Sequence, residues 1–180
     1  MFDVNRFIEQ CKDAISGDDT HQSVCEIVEG AISDPQNVLK ELGEPNRAGV
    51  ETIYHSNDLT ILNVMWGPRM TIHPHNHLMW AVIGVYEGQE DNTFYKRVNG
   101  GIEIASQQAL MPKDAAPLGE PVIHSVTNPL DKITAAIHVY GGDFFDMPRS
   151  EWDPRTLDEH PYDVGHTRRV FEESNRLLEA

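Results

Sequence analysis

The stretch "TIHPHNHLMWAVIGVYEG", residues 71–88, sets His73, His75 and His77 at strict alternation and then runs into an apolar, β-branched segment. On a β-strand successive side chains point to opposite faces, so the three imidazoles are expected on one face. Neutral imidazoles gathered on one side of a sheet suit a divalent transition metal better than a hydrophobic core. Two neighbouring histidines can start such a site, and the next ligand must come from elsewhere in the chain.

Working outward from this stretch, β-rich runs follow one another: "ETIYHS", "LTILNVMW", "TIHPHNH", "MWAVIGVYEG", "NTFYKRV", "IEIASQQAL", "VIHSVTN" and "ITAAIHVYGG". Turn signals separate them at Asn57-Asp58, Gly67-Pro68, Asn99-Gly100-Gly101 and Asn128-Pro129. Short strands this close together leave no room for βαβ crossovers and predict a mainly β sandwich or barrel. Residues 1–43, by contrast, carry helical periodicity. Phe7, Ile8, Cys11 and Ile15 mark one helix, "SGDDTHQ" interrupts, and Val24, Ile27, Val28 and Ile32 mark a second. "SDPQNVLKEL" reads as a third, opened by Asp34-Pro35 and stopped by Gly43. After "SEWDPRTLDEHPYDVG" a final helix is expected over 166–179. The chain thus reads as a single domain, 1–180, with an N-terminal helical segment (1–48), a barrel (50–150) and a C-terminal extension with a helix (151–180).

Composition narrows the function classes. A hydrophobic fraction of 39% in 180 residues is enough for a globular core. A formal charge of −15 argues against nucleic acid and anionic membranes as partners, because both demand basic patches. No run approaches the about 20 apolar residues of a membrane span. The opening "MFDVNRFIEQ" lacks a basic stretch followed by an apolar one, so no signal peptide is expected. Cys11 and Cys25 both fall in helical segments as small buried hydrophobes, which makes a reducing cytoplasm the simpler location.

The histidine spacing resembles that of the cupins, small β-barrels that bind a metal inside through two sequence blocks. The first block is glycine, a spacer, His-x-His, three or four residues, an acidic residue, six residues and glycine. His75-Asn76-His77 fits it, followed by three residues, Ala81 in the acidic position, six residues and Gly88. Pairing His73 with His75 instead keeps Gly67 in place but misplaces Gly88. The second block, a histidine followed four residues later by asparagine, is His124 to Asn128 of "HSVTN". What the resemblance implies is a cupin double-stranded β-helix barrel with metal ligands His75, His77 and His124. His73 then lines the pocket as an outer hydrogen-bond donor or caps the barrel mouth.

With no carboxylate in the ligand set, "HPHNHLMWAVIGVYEGQEDNTFYKR", "VIHSVTN" and "ITAAIHVYGGDF" resemble a narrower group, the cysteine dioxygenase-like branch of the cupins. These bacterial thiol dioxygenases act on cysteine or 3-mercaptopropionate with O2 at a three-histidine Fe(II) site. The branch also carries a Ser-x-His-x-Tyr run whose tyrosine faces substrate and oxygen. Here it reads Ala136-Ile137-His138-Val139-Tyr140, so the serine is missing and the relay loses its outermost link. An arginine nine residues after the tyrosine grips the substrate carboxylate in the bacterial enzymes, which implies Arg149. The arginine of the animal enzymes would fall near Ser56 and is absent.

The residue chemistry agrees with this implication and leaves rivals standing. Three neutral imidazoles leave a metal its full charge, which favours a thiolate, and they leave open positions for substrate and O2. Histidines alone do not choose among Fe(II), Ni, Mn and Zn, so a non-thiol enzyme or a non-enzymatic metabolite-binding cupin remains a reading. Arg149 offers a planar fork for a carboxylate, or else pairs with nearby Asp143 and Asp146. His138 and Tyr140 orient a substrate hydrogen bond, or else are satisfied core groups. Trp66 and Trp80 read as barrel packing, and His21, His55, His160 and His166 carry no pattern.

Overall fold

In the computed structural model, which describes residues 1–17 and 20–179, three helices lead the chain: α1 (Val4–Ile15), α2 (Thr20–Ile32) and α3 (Pro35–Leu42). The Asp3 carboxylate caps α1 by accepting the Arg6 N–H at 2.7 Å. Asp34-Pro35 opens α3 and Gly43, at φ 91°, ends it, as the sequence pattern predicts. The interruption is shorter than expected, since α2 already begins at Thr20; Asp18 and Asp19 lie outside the described residues.

Each predicted β-rich run holds one strand: β1 (Gly49–His55), β2 (Thr60–Trp66), β3 (Thr71–Asn76), β4 (Ala81–Glu87), β5 (Glu90–Val98), β6 (Gly101–Leu110), β8 (Ile123–Thr127) and β9 (Thr134–Tyr140). Three further strands were not anticipated: β7 (Ala115–Leu118), β10 (Ser150–Trp152) and β11 (Glu159–Pro161). They are short, and β7 contains Pro117, which is tolerated because β7 lies at a sheet edge. Helix α4 (Val164–Leu178) follows. The strands form two antiparallel sheets, ordered β1-β2-β9-β4-β7 and β11-β10-β3-β8-β5-β6. This is the expected mainly β double-stranded β-helix with N-terminal helices and a C-terminal helix. No described helix is long and apolar enough to cross a membrane.

The two faces of the first sheet explain why β2 and β9 are buried along their whole length. Ile61, Met65, Val82, Ile137 and Val139 point outward into a core shared with Phe7, Cys11, Val24, Val28, Ile32 and Val38 of the helices. Leu62, Val64, Ala81, Ile83, Val85 and Ala136 point inward, against Ile72 and Val126 of the second sheet. Period-two alternation thus separates a helix-covered face from a barrel face. At Gly84 a Cβ would stand 2.3 Å from Val28 Cγ1, so its absence lets α2 lie directly on β4. Gly88 turns β4 into β5 at φ +78°, where a side chain would strain the backbone and strike Thr134. Both cysteine thiols are free and buried, and burial pushes the Cys11 thiol up to about 12, which leaves it unreactive.

Candidate metal centre

His75 on β3, His77 just past its end and His124 on β8 meet inside the barrel. The register brings them together: His75 lies directly opposite His124 in the β3–β8 ladder. Their Nε2 atoms converge, His75 to His77 at 3.1 Å and His124 to His77 at 3.4 Å. A divalent ion bound through roughly 2.0–2.1 Å bonds at tetrahedral angles spaces its donors by about 3.3 Å. Ala81, in the position of the usual acidic ligand, is fully buried in the inner core, and no carboxylate joins the cluster among the described residues.

The far side of two rings fixes which nitrogen faces inward. His75 Nδ1 lies 3.0 Å from the His73 carbonyl, so Nδ1 carries the hydrogen and Nε2 the lone pair. His124 Nδ1 lies 2.7 Å from Asn92 Oδ1. The Asn92 amide is itself oriented, because its NH2 donates to Glu90 Oε1 at 3.0 Å. Lone pairs of His75 and His124 therefore both face His77, and one His77 proton can satisfy only one of them at a time. A cation satisfies all three. Burial pushes the His75 imidazole down to about 4 and, with the neighbouring rings, holds His77 and His124 well below the ordinary range. All three are neutral ligands at neutral pH.

Glu90 joins the site although the sequence did not single it out. It is fully buried at the start of β5 and accepts Trp66 Nε1–H at 2.7 Å, Asn92 Nδ2–H at 3.0 Å and, at 3.3 Å, His138 Nε2. Burial by itself would raise its carboxyl pKa, yet His138, Asn92 and Trp66 hold it below the usual value. His138 Nδ1 in turn reaches the Tyr140 hydroxyl at 3.0 Å. The serine link is absent at Ala136, as the sequence implies, and His138 pairs with Glu90 instead. A continuous path runs Tyr140–His138–Glu90–Asn92–His124, joining the tyrosine to a triad histidine. Trp66 therefore does more than pack: it donates to Glu90 and stacks on Phe171 of α4 at 5.7 Å. Outer partners of this kind typically control 10–100-fold in metal affinity or activity. Glu90→Gln is expected to weaken divalent-metal binding at the triad by about tenfold, read by competition with a chromophoric chelator; an unchanged affinity would reduce the path to a packing motif.

Arg149 sits beside this cluster. Its guanidinium stacks over the rings of Phe144 at 4.0 Å and Tyr162 at 4.3 Å. Phe144 approaches His77 at 6.1 Å and Tyr162 approaches His75 at 6.0 Å, centroid to centroid. The alternative ion pair with Asp143 or Asp146 is not formed. Asp143 accepts from His55 at 2.9 Å instead, and among the described residues no carboxylate lies within 4.0 Å of Arg149. Arg149 gives one hydrogen bond to the Phe144 carbonyl, 2.6 Å, while its buried Nε has no partner. It also lines a hollow of about 340 Å³ with Leu78, His160 and Pro161.

Two residues of the motifs stand outside the cluster. Asn128 is structural: its amide N–H groups serve the carbonyls of Trp66, Gly67 and Lys132, and its oxygen accepts from Leu130 and Thr134. His73 does not join the triad although it alternates with His75. The β3–β8 register slips between Ile72 and His75, and the His73 ring stacks on His166 instead.

Comparison with known proteins agrees on the architecture. No protein-family model matches the chain. A Bacillus halodurans protein aligns over 61% of this chain and 78% of its own at 15% identity, with a TM-score of 0.51. An RmlC-like cupin of double-stranded β-helix fold from Methanocaldococcus jannaschii covers 57% of this chain and 86% of its own at 11% identity, TM-score 0.48. The DMSP lyase DddQ from Ruegeria pomeroyi covers 61% of this chain and 53% of its own at 16% identity, TM-score 0.48. Identities this low speak to fold alone. The Bacillus halodurans protein shares the fold, and the buried triad of His75, His77 and His124 is a candidate metal site.

Proposed function

We propose that the protein is an Fe(II)-dependent thiol dioxygenase acting on a small thiol carboxylate such as cysteine or 3-mercaptopropionate. The observation that carries this reading is the Arg149 guanidinium, held between two aromatic rings beside an all-histidine cluster and lacking any acidic partner among the described residues. A cation kept in that setting awaits an anion, and its planar fork matches a carboxylate.

His75, His77 and His124 would hold the Fe(II). The chemistry supplied by bound Fe(II) is activation of O2 beside a thiolate, so that RSH and O2 give the sulfinic acid RSO2H. The chain's own residues bind, orient and manage one proton. Arg149 fixes the carboxylate end of the substrate, and Phe144 and Tyr162 keep water from the guanidinium faces. Burial raises the Tyr140 hydroxyl above its ordinary range, so it stays protonated. With His138 Nε2–H donating to Glu90, a neutral His138 accepts the Tyr140 proton at Nδ1. Tyr140 oxygen can then take the thiol proton while passing its own to His138, where Glu90 stabilises the resulting imidazolium. Tyr140 afterwards has an O–H turned toward the substrate.

The test is O2 uptake by anaerobically Fe(II)-loaded protein with cysteine, 3-mercaptopropionate and cysteamine. Uptake matched one-to-one by sulfinate, and faster for the carboxylate thiols than for cysteamine, is the expected result. A protein holding iron at the triad that consumes no O2 with any of these thiols would sink the reading.

A further inference from the structure

A second histidine–carboxylate cluster lies outside the triad and shares no residue with it. His73 of β3, Glu151 of β10 and His166 in the first turns of α4 bring one donor atom each within 4.8 Å of one another. Glu151 stands between the two rings: Oε2 is 3.5 Å from His73 Nε2 and Oε1 is 3.4 Å from His166 Nδ1. These separations are longer than good charge-assisted hydrogen bonds, about 2.7–2.9 Å. They are close to the about 3.3 Å between neighbouring ligands of a tetrahedral ion. His73 Nε2 is buried, faces the carboxylate and has no hydrogen-bond partner; the residue is only 7% exposed. Such an orphaned nitrogen is rare in a folded interior and calls for a ligand. His166, its side chain 41% exposed, forms the accessible side and has room to tilt.

We propose that His73, Glu151 and His166 form a second divalent-metal site. Two imidazole nitrogens and one carboxylate oxygen are a donor set for a borderline ion such as Zn²⁺. The rings stack at 4.2 Å and 25°, so His166 must turn out of the stack for its Nδ1 to meet the same ion as His73 Nε2. Glu151 and His166 are far in sequence from His73, so the ion clasps α4 and the β10–β11 hairpin to β3. That clasp steadies the triad's surroundings from outside, since the hairpin carries Tyr162 next to Arg149 and α4 carries Phe171 next to Trp66. The Glu151 carboxylate is pre-positioned for this by the Asp163 N–H, which donates to Oε2 at 3.1 Å.

The experiment counts Zn²⁺ on the chelator-stripped full-length chain by equilibrium dialysis and elemental analysis. The proteins compared are wild type, His77→Ala, His166→Ala and the double variant, with folding checked by circular dichroism. The expected counts are two, one, one and none. In the His77→Ala background Zn²⁺ should also raise the melting temperature, and adding His166→Ala should remove that rise. Glu151→Gln, which keeps the shape of the side chain, should lower the second site's affinity by more than tenfold. No bound Zn²⁺ in His77→Ala, or an unchanged count on losing His166, would overturn the proposal and leave a hydrogen-bonded histidine–glutamate cluster. The triad and its activity are read separately in the His166→Ala protein, so failure here leaves the dioxygenase reading intact.

Discussion

His77→Ala is expected to abolish stoichiometric metal binding at the triad and to take O2 uptake below detection. His77 is the shared member of the cluster, with its Nε2 within 3.4 Å of both other ligand nitrogens. Structural zinc sites bind with about 10–16 kcal/mol spread over four ligands, or roughly 2.5–4 kcal/mol for each. Losing one ligand of three therefore costs on the order of 10²–10³ in affinity. Stability adds a diagnostic sign. Without metal, wild type holds inward-facing lone pairs of His75 and His124 against His77, so removing the His77 ring relieves that conflict while opening a cavity. The metal-free variant should accordingly melt close to metal-free wild type. With the second cluster removed by His166→Ala, saturating metal should raise the midpoint only where His77 is present, since ligand at 1,000 times its Kd stabilises by about 4 kcal/mol. Made in the His166→Ala background, the comparison reports on the triad alone. Equal metal-induced shifts in both proteins would show that the triad is a packing cluster.

The candidate triad was legible in the sequence because the signal is local. His75-x-His77, the placement of Gly88 and the block at His124 require only that two adjacent strands pair in register. The helices and the buried strands were legible for the same reason, since periodicity records which face meets the core. The roles of Glu90 and Asn92 were not, because Glu90 falls between the runs "MWAVIGVYEG" and "NTFYKRV" and Asn92 only opens the second of them. Only the pairing of β5 with β8, which sets Asn92 opposite Val126 and Phe94 opposite His124, carries them into the barrel. The available trace was a Glu-x-Asn alternation continuous with the strand that follows. His73 misled in the other direction: its alternation with His75 is real in sequence, but the register slip at β3 sends its ring to His166. That partner lies on a helix whose own periodicity says nothing about β3. Asp143 and Asp146 likewise offered Arg149 nearby charges in sequence, yet the chain gives Asp143 to His55.

Arg149→Ala is expected to lower kcat/KM for 3-mercaptopropionate by about 10²–10³-fold while leaving metal content unchanged. A charge-assisted bidentate pair in a partly desolvated site is worth about 2–5 kcal/mol on truncation, which spans that range. Cysteamine has no carboxylate for the fork to grip, so its turnover should change far less. This contrast separates substrate binding from a general loss of order. Arg149 is also held by Phe144 and Tyr162, and removing it forfeits cation–π contacts worth about 0.5–2 kcal/mol. A purely structural role would therefore slow both thiols alike and lower the melting temperature. Arg149→Lys sharpens the distinction: it keeps the charge but loses the planar fork, so it should recover only part of the carboxylate preference. Full recovery by lysine would mean that the site reads charge alone. Equal losses for both thiols in Arg149→Ala would remove the carboxylate from the substrate description while leaving the histidine triad as the centre of the chemistry.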